Sequence, residues 1–235
     1  MATETTKSIF WQGMRDGAPF ILVIIPFSTL FGVVATEAGL SVFETLTFSV
    51  LVIAGAAQFT AVELLRNDAP TIIALVSALA VNLRMAMYSA SLVPYLGQAS
   101  LGQRALAAYF TVDQTYACSI LKFEQNPDWT IGQRLTYFFS VAVPICPLWY
   151  IFTVVGAMIG GAMPEGLALD FAIPITFLAL IAPMLRTRAH LAAALVSVTV
   201  ALVLAFLPYN LGLLVAGLLG MIAGAEVERR MGGVA

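Results

Sequence analysis

Charge is so sparse along this chain that it acts as punctuation. Residues 135–164 carry none, nor do 17–36, 45–62 and 69–83, and in 189–225 the one ionisable nitrogen side chain is His190. A helix made from such a run has no wet face, and about 20 apolar residues match the hydrocarbon thickness of a bilayer. Of the 235 residues 60% are hydrophobic and 10% charged, where a soluble domain carries about 25% charged residues. The apolar residues come in blocks and not in the short alternating segments of an outer-membrane barrel. The fold class is therefore all-α, a polytopic helical membrane protein. A net charge of −2 provides no basic surface for nucleic acid.

Two blocks hold a charge in their interior, Arg84 within 70–95 and Asp113 within 105–121, and Leu207-Pro208-Tyr209-Asn210 divides 189–225 as a turn. About eight transmembrane helices result, near 18–36, 45–64, 70–95, 104–121, 135–160, 170–185, 189–207 and 209–225; seven, with one segment re-entrant, is the other count. With the N-terminus cytoplasmic, Lys7, Arg15, Arg66, Lys122, Arg134, Arg186, Arg188, Arg229 and Arg230 fall inside and Arg104 outside, a strong positive-inside bias. The expected organisation is a cytoplasmic segment 1–16, one transmembrane domain 17–226 and a cytoplasmic tail 227–235. The run 17–36 exceeds the roughly 7–15 apolar residues of a secretory signal, so it is expected to remain as a span. No internal repeat is evident. Pro19 and Pro26 in the first span and Pro144 and Pro147 in the fifth occupy similar places, however, and Pro26, Pro144 and Pro147 are the helix-break candidates. Paired interruptions of that kind point to transporter sites.

An arginine at bilayer depth costs about 2.5–3.5 kcal/mol even on lenient scales, and Arg84 is centred in its block, so it requires a partner. Asp113 lies midway between Arg104 and Lys122, and a carboxylate there must be paired, hydrated or protonated, which makes it the ion-coupling candidate. Arg84, Tyr88 and Ser91 share one helical face, and Tyr109, Asp113 and Tyr116 share another, so a polar seam between the third and fourth spans is expected. Gln58, after the small residues Gly55-Ala56-Ala57, and Asn82 add buried amides, while Phe27, Phe59 and Met87 are candidates for an apolar wall. Pro26 with Ser28 and Thr29 is expected to free backbone carbonyls for a cation. Cys118 and Cys146 lie in apolar blocks and indicate neither disulfide nor metal site. His190 is the one histidine, and there is no zinc-protease, nucleophile-elbow or P-loop motif, so neither an enzyme nor a cofactor is expected.

Taken in order, Gly17-x-Pro19, Ile25-Pro26-Phe27, Phe31-Gly32, Gly39-Leu40-Ser41, Gly55-Ala56-Ala57-Gln58-Phe59, Asn82-Leu83-Arg84 with Tyr88, Asp113-x-x-Tyr116 and Leu207-Pro208-Tyr209-Asn210 resemble the AzlC-type branched-chain amino acid exporter family. The resemblance implies a multi-pass permease of the bacterial cytoplasmic (inner) membrane that exports branched-chain amino acids. It also implies a small AzlD-type membrane subunit as partner. Gln58, Phe59, Asn82, Arg84, Tyr88, Asp113, Tyr116 and Phe27 are the expected substrate-binding residues. One departure is Gln114, where the family pattern often carries a second acid beside Asp113, and coupling to protons, to sodium or to neither stays open. The competing readings are a non-transporting subunit or scaffold in which an Arg84–Asp113 pair only fixes helix register, and, last, an intramembrane enzyme using Asp113 as acid or base.

Overall fold

The computed structural model describes residues 5–162, 185, 187–208 and 211–232; the span expected near 170–185, and Tyr209-Asn210 of the expected turn, lie outside them. Every regular element among the described residues is helical. In chain order the α-helices are α1 (Thr6–Gly17), α2 (Ile21–Glu37), α3 (Val42–Leu51), α4 (Gly55–Arg66), α5 (Thr71–Leu96), α6 (Leu101–Tyr109), α7 (Asp113–Gln125), α8 (Ile131–Ala142), α9 (Cys146–Gly160), α10 (Arg188–Val203) and α11 (Leu211–Gly232). The chain divides into two compact units. One combines the residues up to Glu63 with those from Val81 to the end of α9, and the other takes Leu64–Ala80 and the C-terminal helices.

Two long apolar rods form the frame of the first unit: Thr6–Glu37, 32 residues, and Ile131–Gly160, 30 residues. Each is interrupted by a turn containing a proline, which cannot donate the next helical hydrogen bond. In the first rod the interruption is a single 3-10 turn, Ala18–Phe20, with Pro19 inside it. In the second it is 143–145, with Pro144 in the turn and Pro147 in the first turn of α9. Pro26 instead lies inside α2, which continues through it. The hydroxyls of Ser28 and Thr29 donate to the carbonyls of Ile24 and Ile25 at 2.6 and 2.8 Å, so these groups are occupied and not free for a cation as expected.

The rods run parallel, because their partners climb together: Gly13 meets Tyr137 and Ser140, Gly17 meets Val141 and Pro144, Gly32 meets Thr153 and Ala157, and Gly160 meets Val33 and Thr36. At the crossing Gly32 lies against the carbonyl of Thr153 and Gly156 against the carbonyl of Thr29. One Thr-x-x-Gly stretch therefore packs on another, a short repeat that composition does not reveal. Without water to drive apolar surfaces together, membrane helices associate through close packing, and glycine lets the two backbones touch.

The spans expected to be continuous over 45–64 and 104–121 are each two half-helices. α3 ends in an extended residue, Val52, and 52–54 carry no helix before α4 begins. α6 ends at Tyr109, and 110–112 precede α7. The outer starts are fixed by reciprocal capping, Ser41 with Glu44 and Ser100 with Gln103. From those starts the 10 residues of α3 and the 9 of α6 rise about 15 and 13 Å, about half the thickness of a hydrocarbon core about 30 Å thick. At the second break the Thr115 hydroxyl accepts from the Val112 N–H at 2.9 Å and donates to the Phe110 carbonyl at 2.9 Å, and Thr111 donates to the Ala107 carbonyl at 2.7 Å. Main-chain groups that lipid could not solvate are thereby satisfied.

Leu75, Leu79, Leu83 and Met87 point outward from α5, while Arg84, Tyr88 and Ser91 lie on another face. Polar groups such as Ser28, Thr45, Ser49, Gln58, Thr115 and Thr153 are buried instead. An apolar exterior around a partly polar interior suits a bilayer. In the second unit α10 and α11 form an antiparallel hairpin, in which Gly220 meets Ala193 and Ser197, Gly224 meets Ala189 and Ala193, and Ser197 donates to the Ala216 carbonyl at 3.2 Å.

A Cβ at Gly156 would overlap the Thr29 main chain, whereas one at Gly102 meets nothing within 4 Å. Gly156→Val should therefore cost about 1–3 kcal/mol or more of overpacking and lower the unfolding midpoint in detergent by several degrees. Gly102→Ala should leave it unchanged, and thermal unfolding monitored by circular dichroism checks both.

Candidate functional site

α5 and α7 together hold a charged seam. Asp113 is the first residue of α7, where the helix dipole and free N–H groups favour a carboxylate. Its two oxygens are both met from α5: Arg84 Nη1 lies 3.1 Å from Oδ2, and the Tyr88 hydroxyl donates to Oδ1 at 3.0 Å. One turn further along each helix, Tyr116 donates to Ser91 Oγ at 3.0 Å, and the Tyr88 and Tyr116 rings stack with centroids 4.2 Å apart. The charged side chains keep 35% and 41% of their surface open. Arg84 Nε is buried without a partner, as is Asn82 Oδ1. The guanidinium thus has a donor to spare for a second acceptor.

Tyr109 does not join this seam. The break at 110–112 interrupts the continuous helix on which a Tyr–Asp–Tyr face was expected, and Tyr109 turns elsewhere. Its hydroxyl donates to the Val50 carbonyl at 2.7 Å and pairs with the Tyr150 hydroxyl at 2.9 Å. The last turn of α6 is thereby tied to the last turn of α3, break to break.

A second polar group occupies the α3–α4 break, and it is neutral. Gln58, fully buried in α4, donates through Nε2 to Ser49 Oγ at 2.9 Å, and Ser49 donates to Thr153 Oγ1 at 3.4 Å. Gln58 Oε1 and Trp149 Nε1 are both buried without partners. Aromatic rings surround the group: Phe27 and Phe59 lie 4.9 Å apart, Phe27 and Trp149 5.8 Å, and Phe31 and Phe59 5.4 Å between centroids. Gly55 allows this, since a Cβ there would lie 2.7 Å from the Trp149 ring and 2.8 Å from that of Phe27.

The expected residues thus fall into two groups, Arg84, Tyr88, Asp113 and Tyr116 in one and Phe27, Gln58 and Phe59 in the other, with Asn82 two residues from Arg84. Met87 walls neither, being 70% exposed on the outer face of α5. Sequence reasoning missed Ser49, Thr153, Trp149 and Tyr150; the repeated Thr-x-x-Gly at 29–32 and 153–156 was the available signal for Thr153. It also missed Asp16 of α1, which accepts from Tyr137 at 2.7 Å. Among the described residues no cluster of histidine, cysteine and carboxylate side chains could hold a metal ion, and Cys118 and Cys146 are free thiols.

Long apolar helices and interrupted apolar segments around buried polar groups define a polytopic helical membrane protein. The chain belongs to the AzlC family, whose model, described as "AzlC protein", matches residues 19–163. Over 231 residues, covering 93% of this chain and 89% of the other, it is 28% identical to "Inner membrane protein YgaZ" of Escherichia coli (strain K12). An "Uncharacterized membrane protein" of Archaeoglobus fulgidus is 28% identical over 234 residues, 97% of this chain and all of that one. No solved structure matches the chain significantly.

Tyr109→Phe deletes one oxygen and with it the link between the breaks and the bond to Tyr150 of α9. It should cost about 0.5–1.5 kcal/mol per lost hydrogen bond, and amide exchange of 50–54 and 110–113 should accelerate while that of α2 and α9 does not.

Proposed function

We propose that the protein is a permease of the cytoplasmic (inner) membrane that exports branched-chain amino acids, with its N-terminus cytoplasmic and a small AzlD-type subunit as partner. Family membership and the multi-pass helical fold support a membrane carrier, and the resemblance supplies the cargo class, the direction and the partner. The observation on which the reading rests is the Arg84–Asp113 pair: two opposite charges on membrane-spanning segments, partly open, with a spare donor on Arg84. A zwitterionic amino acid offers one group to each. The planar guanidinium suits the cargo carboxylate, and Asp113 with the Tyr88 hydroxyl suits the ammonium. For cargo to enter, the pair opens; once it leaves, the two side chains satisfy one another, so neither charge is left bare in a low-dielectric setting. Asn82, two residues from Arg84, supplies a neutral hydrogen bond, and Gln58 with the Phe27 and Phe59 rings receives the cargo separately, at the α3–α4 break. No step calls for a bond to be made or broken in the cargo, which is carrier and not enzyme chemistry.

Efflux of radiolabelled leucine from proteoliposomes, with and without the small subunit, tests this. Asp113→Asn should abolish saturable efflux. Arg84→Lys should reduce efflux at least tenfold while folded protein recovered from the membrane stays near wild type, because a point charge replaces a planar fork. Equal loss of efflux and folded protein would show that the pair only holds α5 to α7.

A further inference from the structure

We infer that the α3–α4 break is a second station for the cargo, built to hold the zwitterionic head of an amino acid without any charged side chain. The inference rests on the permease reading above. Two buried polar atoms of opposite kind lack partners there: Gln58 Oε1, an acceptor on a fully buried side chain, and the indole N–H of Trp149, a donor on a side chain 4% exposed. An unpartnered polar atom in such a place carries an uncompensated desolvation penalty. A bare cation would satisfy the amide oxygen and leave the indole N–H stranded; an anion would do the reverse. A molecule carrying both an ammonium and a carboxylate satisfies both.

The main chain around the two atoms has the same dual character. The end of α3 presents carbonyls and the start of α4 presents N–H groups, since a helix leaves its terminal groups without intrahelical partners. Only 52–54 separate these ends of opposite partial charge, a pairing that would suit the two ends of a zwitterion. Ser49 and Thr153 connect Gln58 to α9 and fix its orientation, the amide donating so that its oxygen remains free. The Phe27 and Trp149 rings close directly over Gly55, where a Cβ would overlap both, and they present an apolar surface to an aliphatic side chain. The Tyr109–Val50 link ties the end of α6 to the end of α3, so the break ahead of α7 and the break ahead of α4 lie side by side.

Trp149 is its own reporter. With Trp11 and Trp129 replaced by Phe, the purified chain, with its small subunit if required, is titrated with leucine while tryptophan emission and radiolabelled leucine binding are followed in parallel. Leucine should change the emission saturably. Leucinol, which lacks the carboxylate, and 4-methylvalerate, which lacks the ammonium, should each require at least tenfold higher concentration. Gln58→Leu and Ser49→Ala should each raise the half-saturating leucine concentration about tenfold in variants that elute as monodisperse protein. Radiolabelled leucine binding with no emission change overturns the second station, assigns the two unpartnered atoms to an ordered water and leaves the permease reading standing. An emission change produced by sodium chloride but not by leucine assigns the break to a cation and overturns the inference. Absence of leucine binding by either measure overturns the inference and the permease reading together.

Discussion

Lipid offers no hydrogen bonds, so each place where a membrane-spanning backbone leaves the helix must be satisfied from within the protein. Among the described residues the helix is left at 52–54 and at 110–112, besides the proline turns of the two rods, and much of the buried polarity is devoted to the consequences. Thr111 and Thr115 satisfy the second break, Tyr109 takes a carbonyl at the first, and Gln58, Ser49 and Thr153 line it. The parallel rods α1–α2 and α8–α9 form a close-packed frame beside these breaks, with α3 lying on both α2 and α9. Their glycine contacts bring backbone against backbone and leave little freedom to slide. Rigid frame and interrupted helices are thus separate parts of one unit, and groups that could rearrange are concentrated in the second.

The helical membrane class was legible because it depends on long charge-free runs, and such runs have one physical solution in lipid. Arg84 and Asp113 were legible for the same reason: a charge among apolar neighbours stands out, and helical spacing placed Tyr88, Ser91 and Tyr116 near them. The breaks were not legible. Val52-Ile53 and Thr111-Val112 are β-branched pairs with no proline to announce a turn, and Gly55 at the edge of the first break reads equally well as a close-packing residue inside a continuous helix. Once the helix at 110–112 was assumed continuous, Tyr109 was assigned to the wrong face. Pro26 misled in the opposite sense, since its neighbours Ser28 and Thr29 bond within the helix and keep it intact. The pairing of α1–α2 with α8–α9 rests on a few glycines, and glycines are too common in membrane helices to point at one another without coordinates.

The two polar groups differ in how they meet the dielectric penalty of the membrane. At the seam, full charges cancel by approaching to 3.1 Å. At the break, only partial charges are present, on an amide, two hydroxyls, an indole and helix ends. A neutral site can sit fully buried without a counter-charge, whereas a charged one needs either its partner or a cargo that replaces it. That contrast explains why the seam remains partly open and the break is closed.

The parallel direction of the two rods fixes a parity. A rod that crosses the membrane between Thr6 and Glu37 finishes on one side, and the rod that begins at Ile131 starts on the other. The chain between them must therefore traverse the bilayer an odd number of times. α5 accounts for one traversal, so the segments Val42–Arg66 and Leu101–Gln125 must either both go through or both turn back; a structure with one hairpin loop and one through-going segment is ruled out by counting alone.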